Sequence, residues 1–214
     1  MLIAGAQGFA KEVLEALHQA DPHLRAAFYE DGPSGPGAPT LVHGQFPIWR
    51  SADEARRWLA QDPRFALGTG HPAVRRALAA TLRQLGGVLT AVVSPRATLG
   101  AFGTRFGPGC SVMTGAVLTS DVVLGEGVLV NLNCTIGHDC AVHDYCELSP
   151  GVHLSGRVVL GADCVLGTGA VVLPGVCIGA GTVVGAGSVV TRDLPAGVLA
   201  VGAPARVVKQ LAAA

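Results

Sequence analysis

The chain has few charged and few aromatic side chains. Only 14% of its 214 residues are charged, the two signs balance at 15 each, and 5% are Phe, Trp or Tyr. A nucleic-acid-binding surface needs clustered Lys and Arg, and a membrane-surface helix needs a basic amphipathic face. The sequence has neither pattern, so we expect neither nucleic acid nor a membrane among the partners of this protein.

Long apolar runs are lacking as well, although half of the residues are hydrophobic. Gly, Asp or Pro interrupts each aliphatic segment before it reaches the roughly 18–20 residues that a membrane-spanning helix needs. The first residues, MLIAGAQGFAKEV, have no charged start followed by an apolar core, as a secretory signal peptide would. We therefore expect a cytoplasmic protein.

Paired cysteine motifs are also missing. The chain has six cysteines, but none form the CxxC pairs that are typical of zinc sites. Five of them lie two residues before an aliphatic residue of the repeat described next, namely Cys110, Cys134, Cys140, Cys146 and Cys164. Other repeats hold Ala, Val, Thr or Ser there, so we predict that these five are small buried side chains. Cys177 does not share this position.

The sequence does contain a repeat of six residues. Fourteen aliphatic residues follow one another at intervals of six, and a glycine or another small residue often comes next. They are Val112, Leu118, Leu124, Val130, Ile136, Val142, Leu148, Leu154, Leu160, Leu166, Val172, Ile178, Val184 and Val190. One such unit cannot bury its own apolar side, so stacked coils must share a core. The pattern predicts a coiled scaffold that begins near Leu99, is interrupted around residues 101–103 and ends near Pro195.

The first 90 residues have a different pattern, in which short apolar strands alternate with amphipathic helices. Strands are predicted at residues 2–5, 26–29 and 65–68, and helices from residue 8, over residues 51–59 and from residue 72 to about 85. Ser51 and Glu54 form a capping-box pattern, and residues 32–37, GPSGPG, are predicted to be a loop. The alternation predicts a small parallel α/β domain over residues 1–90, followed by the repeat domain over residues 91–214.

A glycine-rich turn, Gly5-Ala6-Gln7-Gly8, connects the first strand to the first helix. Such a turn directs backbone N–H groups at a phosphate, although a tight turn without a ligand has the same pattern. The predicted strands end at Gly5, Glu30 and Gly68, and ligands of parallel sheets lie beyond such ends. We expect a nucleotide or a sugar at this edge.

Several motifs taken together resemble those of bacterial hexapeptide-repeat acyltransferases. Lys11 and Val13 follow the glycine turn, residues 67–75 read LGTGHPAVR, Asn131 precedes His138-Asp139 within the repeat, and VGAPA occupies residues 201–205. The combination is similar to the sialic acid O-acetyltransferases and UDP-4-amino-sugar N-acetyltransferases. This resemblance implies a Rossmann-like α/β domain followed by a left-handed parallel β-helix in which residues eighteen apart stack. It also implies acetyl-CoA as co-substrate, a nucleotide-activated sugar as acceptor, no metal, and a homotrimer with the site between subunits.

Acetyl transfer from a thioester requires a base that deprotonates the attacking amine or hydroxyl. The resembling family has a His followed by an acidic residue at the position of His138 and Asp139, which implies that His138 is the base and Asp139 its orienting carboxylate. Adjacent residues on a β-strand point to opposite faces of the sheet. Direct pairing of the His138 and Asp139 side chains therefore requires that these residues lie in a turn. His143 and His153 are the alternative bases.

The resemblance implies two further sets of residues. The acceptor set is Gly5, Gly8, Lys11, Glu30, Asp31, Gly68, Thr69 and Asn131, and the acetyl-CoA set is Glu147, Gly156, Thr168 and Ala186. The chain departs from the family at two places, with Phe9-Ala10 after the second glycine where many relatives have His-Gly, and Glu147 where a His is usual. The leading hypothesis is N-acetylation of a nucleotide-linked amino sugar in bacterial glycan biosynthesis. The alternatives are O-acetylation of a sugar hydroxyl, as in the sialic acid enzymes, and a non-catalytic β-helix scaffold.

Overall fold

The computed structural model describes residues 1–32 and 38–211, and its first part contains a six-stranded sheet. The strands are β1 (Leu2–Ala4), β2 (Ala27–Tyr29), β3 (Leu41–Val42), β4 (Phe46–Trp49), β5 (Arg64–Leu67) and β6 (Val88–Leu89). Their order is β3-β4-β2-β1-β5-β6, and only the β3–β4 pairing is antiparallel. The three predicted strands are confirmed. The sequence did not reveal β3, β4 and β6, because two are only two residues long and β4 contains Pro47. The predicted loop over residues 32–37 lies outside the described residues except for Gly32.

Three helices pack on this sheet: α1 (Gly8–Ala20), α2 (Ala52–Leu59) and α3 (Pro72–Gln84). The predicted capping box of α2 is confirmed, since the Glu54 backbone N–H donates to Ser51 Oγ and the Ser51 N–H donates to the Glu54 carboxylate. Pro72 occupies the first turn of α3. A backbone N–H at this position would have no acceptor within the helix, so a proline is tolerated there.

The second part of the chain is a parallel β-helix built from the two-residue strands β7 to β23. They are Val92–Val93, Thr98–Leu99, Arg105–Phe106, Ser111–Val112, Val117–Leu118, Val123–Leu124, Leu129–Val130, Thr135–Ile136, Ala141–Val142, Glu147–Leu148, His153–Leu154, Val159–Leu160, Val165–Leu166, Val171–Val172, Cys177–Ile178, Val183–Val184 and Val189–Val190. Every third strand pairs in parallel. From β10 onward the paired residues are eighteen apart, as in Thr135 opposite His153. Three sheets result, which we call sheet 1 (β7, β10, β13, β16, β19, β22), sheet 2 (β8, β11, β14, β17, β20, β23) and sheet 3 (β9, β12, β15, β18, β21).

The interior of the coil confirms the predicted pattern. The second residue of each strand from β10 to β23 is buried, and one continuous cluster joins these side chains. The five in-phase cysteines are buried as predicted, and each thiol donates to a backbone carbonyl fifteen residues later, for example Cys140 Sγ to Ser155 O at 3.0 Å. Burial raises the pKa of Cys110 and Cys134 to about 11, which keeps these thiols protonated and unreactive.

The coil begins and ends differently from the sequence prediction. Its first strand is Val92–Val93, one strand before Leu99. The interval from Leu99 to Phe106 is seven residues rather than six, and this extra residue hid the early repeat. At the other end, β24 (Val198–Gly202) continues sheet 1 beside β22, and β25 (Ala205–Gln210) folds back on β24 in antiparallel pairing.

Sheet 1 and its flanking turns carry the α/β domain. Val92, Leu129 and Leu132 join the apolar cluster of Phe9 and Ala10 on α1. On the other side, cations of α3 bind the turns between sheets 3 and 1: Arg83 contacts Glu126 at 2.7 Å and Arg76 contacts Asp163 at 2.9 Å.

Arg75 provides the deepest of these contacts. It is fully buried, and its guanidinium donates to Gly127 O at 2.7 and 3.0 Å and to Gly109 O at 3.4 Å, as well as to Thr69 O at 2.8 Å. Burial lowers the pKa of Arg75 to about 10, so the guanidinium remains protonated at neutral pH. Since Thr69 follows β5, Arg75 joins the carboxyl edge of the sheet to two coils of the β-helix.

Candidate active site

His138 and Asp139 form a turn that leads from sheet 2 to sheet 3. His138 Nδ1 donates to Asp139 Oδ2 at 2.7 Å. Asp139 has a φ of 59°, and this left-handed conformation brings its side chain beside that of its neighbour. The predicted turn and pairing are therefore confirmed, whereas the catalytic roles stay predictions. An ionised carboxylate can only accept, so Nδ1 donates, and Nε2 presents its lone pair whenever the imidazole is neutral. Both side chains are more than half exposed, at 53% and 55%, which leaves the pair open to a ligand.

Gly156 lies beside this imidazole, at the same turn position one coil later. A Cβ atom built on Gly156 would be 2.5 Å from His138 Nε2, so a side chain at this position would displace the imidazole. The missing side chain thus gives Nε2 its space. Gly156 was predicted to bind acetyl-CoA, and the structure places it against the predicted base.

Three predicted acceptor residues come together at the carboxyl ends of β1 and β5. Gly5 has a φ of 108°, and its N–H donates to Tyr29 O at 2.7 Å. A Cβ on Gly5 would meet Thr69 Cγ2 at 2.8 Å, and one on Gly68 would meet Ala10 Cβ at 2.8 Å. Glycine is therefore required at both positions, because the turn, the strand end and α1 approach each other too closely for a side chain.

The first turn of α1 is open to an anion. Its N-cap residue, Gln7, makes no side-chain hydrogen bond to the free N–H groups of the helix. Apart from the helix backbone and its chain neighbours, no atom of residues 1–32 and 38–211 lies within 4 Å of a Cβ built on Gly8, and Lys11 is exposed one turn later. Free backbone donors, the positive end of the helix dipole and a nearby ammonium group suit a phosphate.

Glu30 holds a second group of polar side chains beside this turn. Its carboxylate accepts from Gln7 Nε2 at 2.8 Å and from Arg50 at 2.9 Å, and Arg50 also donates to Pro39 O. These residues line a cavity of about 410 Å³ with Ala6, Lys11, Ala38, Leu41, Val42, His43 and Ile48. Glu30 thus faces the cavity and also orients the side chains of Gln7 and Arg50. Asp31, also predicted for the acceptor, is exposed directly after it.

Asn131 lies at the turn between sheets 1 and 2 and is 9% exposed. Its Oδ1 accepts from the N–H of Leu132 at 2.7 Å, so one of its polar atoms stabilises the turn itself. Leu132 packs against the cluster that contains Phe9. Asn131 is therefore close to the N-terminal turn of α1, on the side of the coil that carries the α/β domain.

Glu147 is half-buried on sheet 1 and faces the turn after β5. A Cβ on Gly70 would be 3.0 Å from Glu147 Oε1. Burial raises the pKa of Glu147, and the positive charges of Arg75 and His71 act in the opposite direction. Glu147 was predicted to bind acetyl-CoA, but within one chain it lies beside Gly70, in the same turn as Gly68 and Thr69, which were predicted to bind the acceptor.

The two remaining residues predicted to bind acetyl-CoA, Thr168 and Ala186, stack at the turns between sheets 1 and 2. Both are exposed, and the N–H of Gly187 donates to Thr168 O at 2.9 Å across the two coils. Gly156 is at a turn between sheets 2 and 3. The four residues therefore do not form one continuous surface of a single chain.

The alternative bases have different surroundings. His153 is exposed on sheet 2, and its Nδ1 is 2.9 Å from Thr135 Oγ1, the residue that stacks beneath it. His143 is exposed at a turn from sheet 3 to sheet 1. Among the described residues, only His138 of these three has a hydrogen-bonded carboxylate.

Two family models match the chain. Residues 1–82 match the PglD N-terminal domain, and residues 157–192 match the bacterial transferase hexapeptide, six repeats. A comparison with curated proteins found no match.

Solved structures match almost the whole length. A histidine-to-asparagine mutant of perosamine N-acetyltransferase from Caulobacter crescentus, in complex with CoA and GDP-perosamine, is 32% identical, with a TM-score of 0.88 over 98% of this chain and 96% of that one. The acetyltransferase domain of PglB from Neisseria gonorrhoeae, in complex with acetyl coenzyme A, is 28% identical, with a TM-score of 0.87 over 97% and 98%. WeeI from Acinetobacter baumannii is 30% identical, with a TM-score of 0.85 over the same shares.

The chain belongs to the hexapeptide-repeat sugar acetyltransferases. It is an acyltransferase by family, and its coil is the left-handed parallel β-helix of that family. No helix in the described ranges is long and apolar enough to cross a membrane. Within residues 1–32 and 38–211, no three His, Cys, Asp or Glu side chains are grouped to hold a metal ion.

Sequence reasoning missed three residues of this region. Gln7 and Arg50 bind Glu30, and Arg75 bridges the two domains. Arg75 was noted only as the end of a motif, and no sequence signal marks the partners of Gln7 or Arg50. Their contacts join segments that are far apart in the chain.

Proposed function

We propose that this protein transfers the acetyl group of acetyl-CoA to the amino group of a nucleotide-linked sugar in bacterial glycan biosynthesis. The observation that carries the proposal is the pair of His138 and Asp139, with Nε2 open beside Gly156. The Caulobacter crescentus and Neisseria gonorrhoeae complexes with CoA, GDP-perosamine and acetyl coenzyme A support the choice of substrates.

In the proposed reaction His138 Nε2 removes a proton from the attacking amine. The amine nitrogen bonds to the thioester carbonyl carbon, and collapse of the tetrahedral intermediate breaks the carbon–sulfur bond. The proton held by His138 then protonates the departing thiolate, so the products are the N-acetyl sugar and CoA. Asp139 fixes the tautomer and stabilises the imidazolium that forms in between.

The nucleotide is proposed to lie on the α/β domain, which we take as residues 1–90. The free first-turn N–H groups of α1 and Lys11 suit its phosphates, and the cavity beside Glu30 suits the nucleoside. The backbone beneath the nucleotide sugar would be formed by Gly5, Gly8, Gly68 and Thr69. Asp31 and Asn131 would lie at the margins of this site. Gly156, Thr168 and Ala186, on the β-helix over residues 91–214, are proposed to contact acetyl-CoA.

We further propose a cytoplasmic homotrimer with the site between two copies. His138 lies at the turn between sheets 2 and 3, whereas the α/β domain covers sheet 1 on the opposite side of the triangular coil. A sugar bound at Thr69 and Asn131 is therefore remote from His138 of the same chain. A second copy that presents its sheet 2–3 turn to this surface would complete the site.

Release of the CoA thiol tests the proposal directly. The protein is mixed with acetyl-CoA and either GDP- or UDP-linked 4-amino sugars or their 4-hydroxyl counterparts. We expect thiol release with an amino sugar and none with its hydroxyl counterpart. Thiol release only with hydroxyl sugars would favour O-acetylation, and no release with either set would contradict an acetyltransferase of nucleotide sugars.

A further inference from the structure

Glu147 differs from the other residues at its position in sheet 1. The first residue of each strand in this sheet points outward, toward the α/β domain in the early coils. In β7, β10, β13, β19 and β22 these residues are Val92, Ser111, Leu129, Val165 and Val183. Only β16 places a charged side chain there. An apolar residue would suit this half-buried position better, so the carboxylate calls for an explanation.

The carboxylate of Glu147 lacks a hydrogen-bond donor. Within residues 1–32 and 38–211, no N–H or O–H group donates to it, and no cation lies within 4.0 Å of it. Partial burial without donors raises its pKa. A half-buried carboxylate that receives no donor from the protein leaves its oxygens to accept hydrogen bonds from water or from a ligand.

Arg75 does not supply the missing partner. Its guanidinium is bound to the carbonyl oxygens of Thr69, Gly109 and Gly127. The charge of Arg75 is nevertheless close enough to lower the pKa of Glu147 in part. Since this charge already offsets that of the carboxylate, neutral hydroxyl or amine donors fit the site better than a second cation.

Glu147 lies at the edge of the sheet where a ligand of the α/β domain would bind. Its Oε1 approaches Gly70, the second residue after Gly68 at the carboxyl end of β5. Ligands of parallel α/β sheets lie beyond this edge. Thr69 Oγ1, in the same turn, is also buried and has no hydrogen-bond partner among the described residues.

We propose that Glu147 binds the acceptor sugar, with its carboxylate accepting hydrogen bonds from hydroxyl or amine groups of the sugar ring. Gly70 leaves the space for this contact because it has no side chain. Glu147 then determines affinity for the nucleotide sugar rather than for acetyl-CoA. The inference rests on the proposed function, and it moves Glu147 from the acetyl-CoA set to the acceptor set.

The test compares wild-type protein with Glu147→Gln and Glu147→Ala, using the nucleotide sugar that supports thiol release. Initial rates are measured while each substrate is varied in turn. We expect the KM for the nucleotide sugar to rise roughly tenfold or more, as for the loss of hydrogen bonds to a charged group, with the KM for acetyl-CoA within about twofold. Glu15→Gln is the matched control, since Glu15 is exposed on α1 and its carboxylate accepts from Gln19 on the same helix.

Two outcomes would overturn the inference. A rise in the KM for acetyl-CoA alone would return Glu147 to the thioester site. Unchanged KM values with a lower Tm for Glu147→Gln would make the carboxylate a counter-ion of Arg75. Calorimetric binding of the nucleotide sugar to the same variants separates this inference from the proposed function. If wild type binds the sugar without turnover, reduced binding by Glu147→Gln still supports the inference, whereas equal binding contradicts it.

Discussion

The imidazole of His138 lies over Gly156, which follows it by eighteen positions and occupies the same turn one coil later. The turn position itself accepts a Cβ atom, since Ala162, Ala180 and Ala186 occupy the second position of other turns. Glycine at 156 therefore leaves room for the imidazole of His138 and is not required by the backbone.

Gly156→Ala should displace the imidazole without unfolding the coil. The added methyl group would lie 2.5 Å from Nε2, so His138 must rotate away from its place beside Asp139. We expect kcat to fall at least roughly tenfold, because misplacement of a catalytic group by about 1 Å is costly. Tm and the far-ultraviolet circular dichroism should match wild type, and an unchanged kcat would show that this placement is unimportant.

Replacing the histidines one at a time identifies the base. His138→Ala should lower kcat about 100-fold or more, in the range that general base catalysis contributes. His153→Ala loses only a bond to Thr135, and His143→Ala loses an exposed side chain, so each should retain most of the wild-type kcat. A larger loss in either of these two variants than in His138→Ala would contradict the assignment.

Mixed oligomers test whether two copies share a site. His138→Ala and Glu30→Ala are expected to be inactive when each is prepared alone. Refolding or co-expressing the two together should restore part of the activity, because one interface then combines an intact base with an intact nucleotide site. If base and acceptor belong to the same chain, no mixture can contain a complete site and activity stays absent.

Arg75→Met should destabilise the junction between the domains. The change leaves the carbonyl oxygens of Gly109, Gly127 and Thr69 without their donor in a buried place. We expect a loss of about 3 kcal/mol or more in the free energy of unfolding, measured with urea. Arg57→Met, which removes an exposed guanidinium on α2, is the control and should change stability by less than about 0.5 kcal/mol.

Glu147→Gln should raise the Tm of the ligand-free protein at pH 7. The pKa of Glu147 is raised above its ordinary value of 4.5, so the folded state holds this proton more tightly than the unfolded state. The resulting stabilisation is present below pH 4.5 and is lost as pH rises through the folded pKa. Because glutamine does not titrate, the Tm difference between variant and wild type should be larger at pH 7 than at pH 4, as measured by calorimetry. A constant difference would contradict an unpaired, partly buried carboxylate.

Local pattern was sufficient for the elements themselves. The interval of six from Val112 to Val190 determines which side chains fill the coil, and the Ser51–Glu54 box determines where α2 begins. The repeat and the capping box depend on residues only a few positions apart in the chain. Because one side of each element must be buried, the order of apolar and polar residues determines its orientation. The first strand of the coil, Val92–Val93, was missed, and one extra residue between Leu99 and Phe106 breaks the interval of six in this part of the chain.

Tertiary structure alone decided how the site is divided. Sequence order places Glu147 nine residues after His138, yet the coil turns between them and carries the two side chains to different sides of the triangle. The burial of Arg75, the bonds of Gln7 and Arg50 to Glu30, and the contact of Glu147 with Gly70 all depend on how the α/β domain packs on sheet 1. The sequence by itself determined the scaffold and its candidate base, because periodicity and short motifs are local. Which groups face one another was decided by packing between segments far apart in the chain, for which a single sequence carries no local signal.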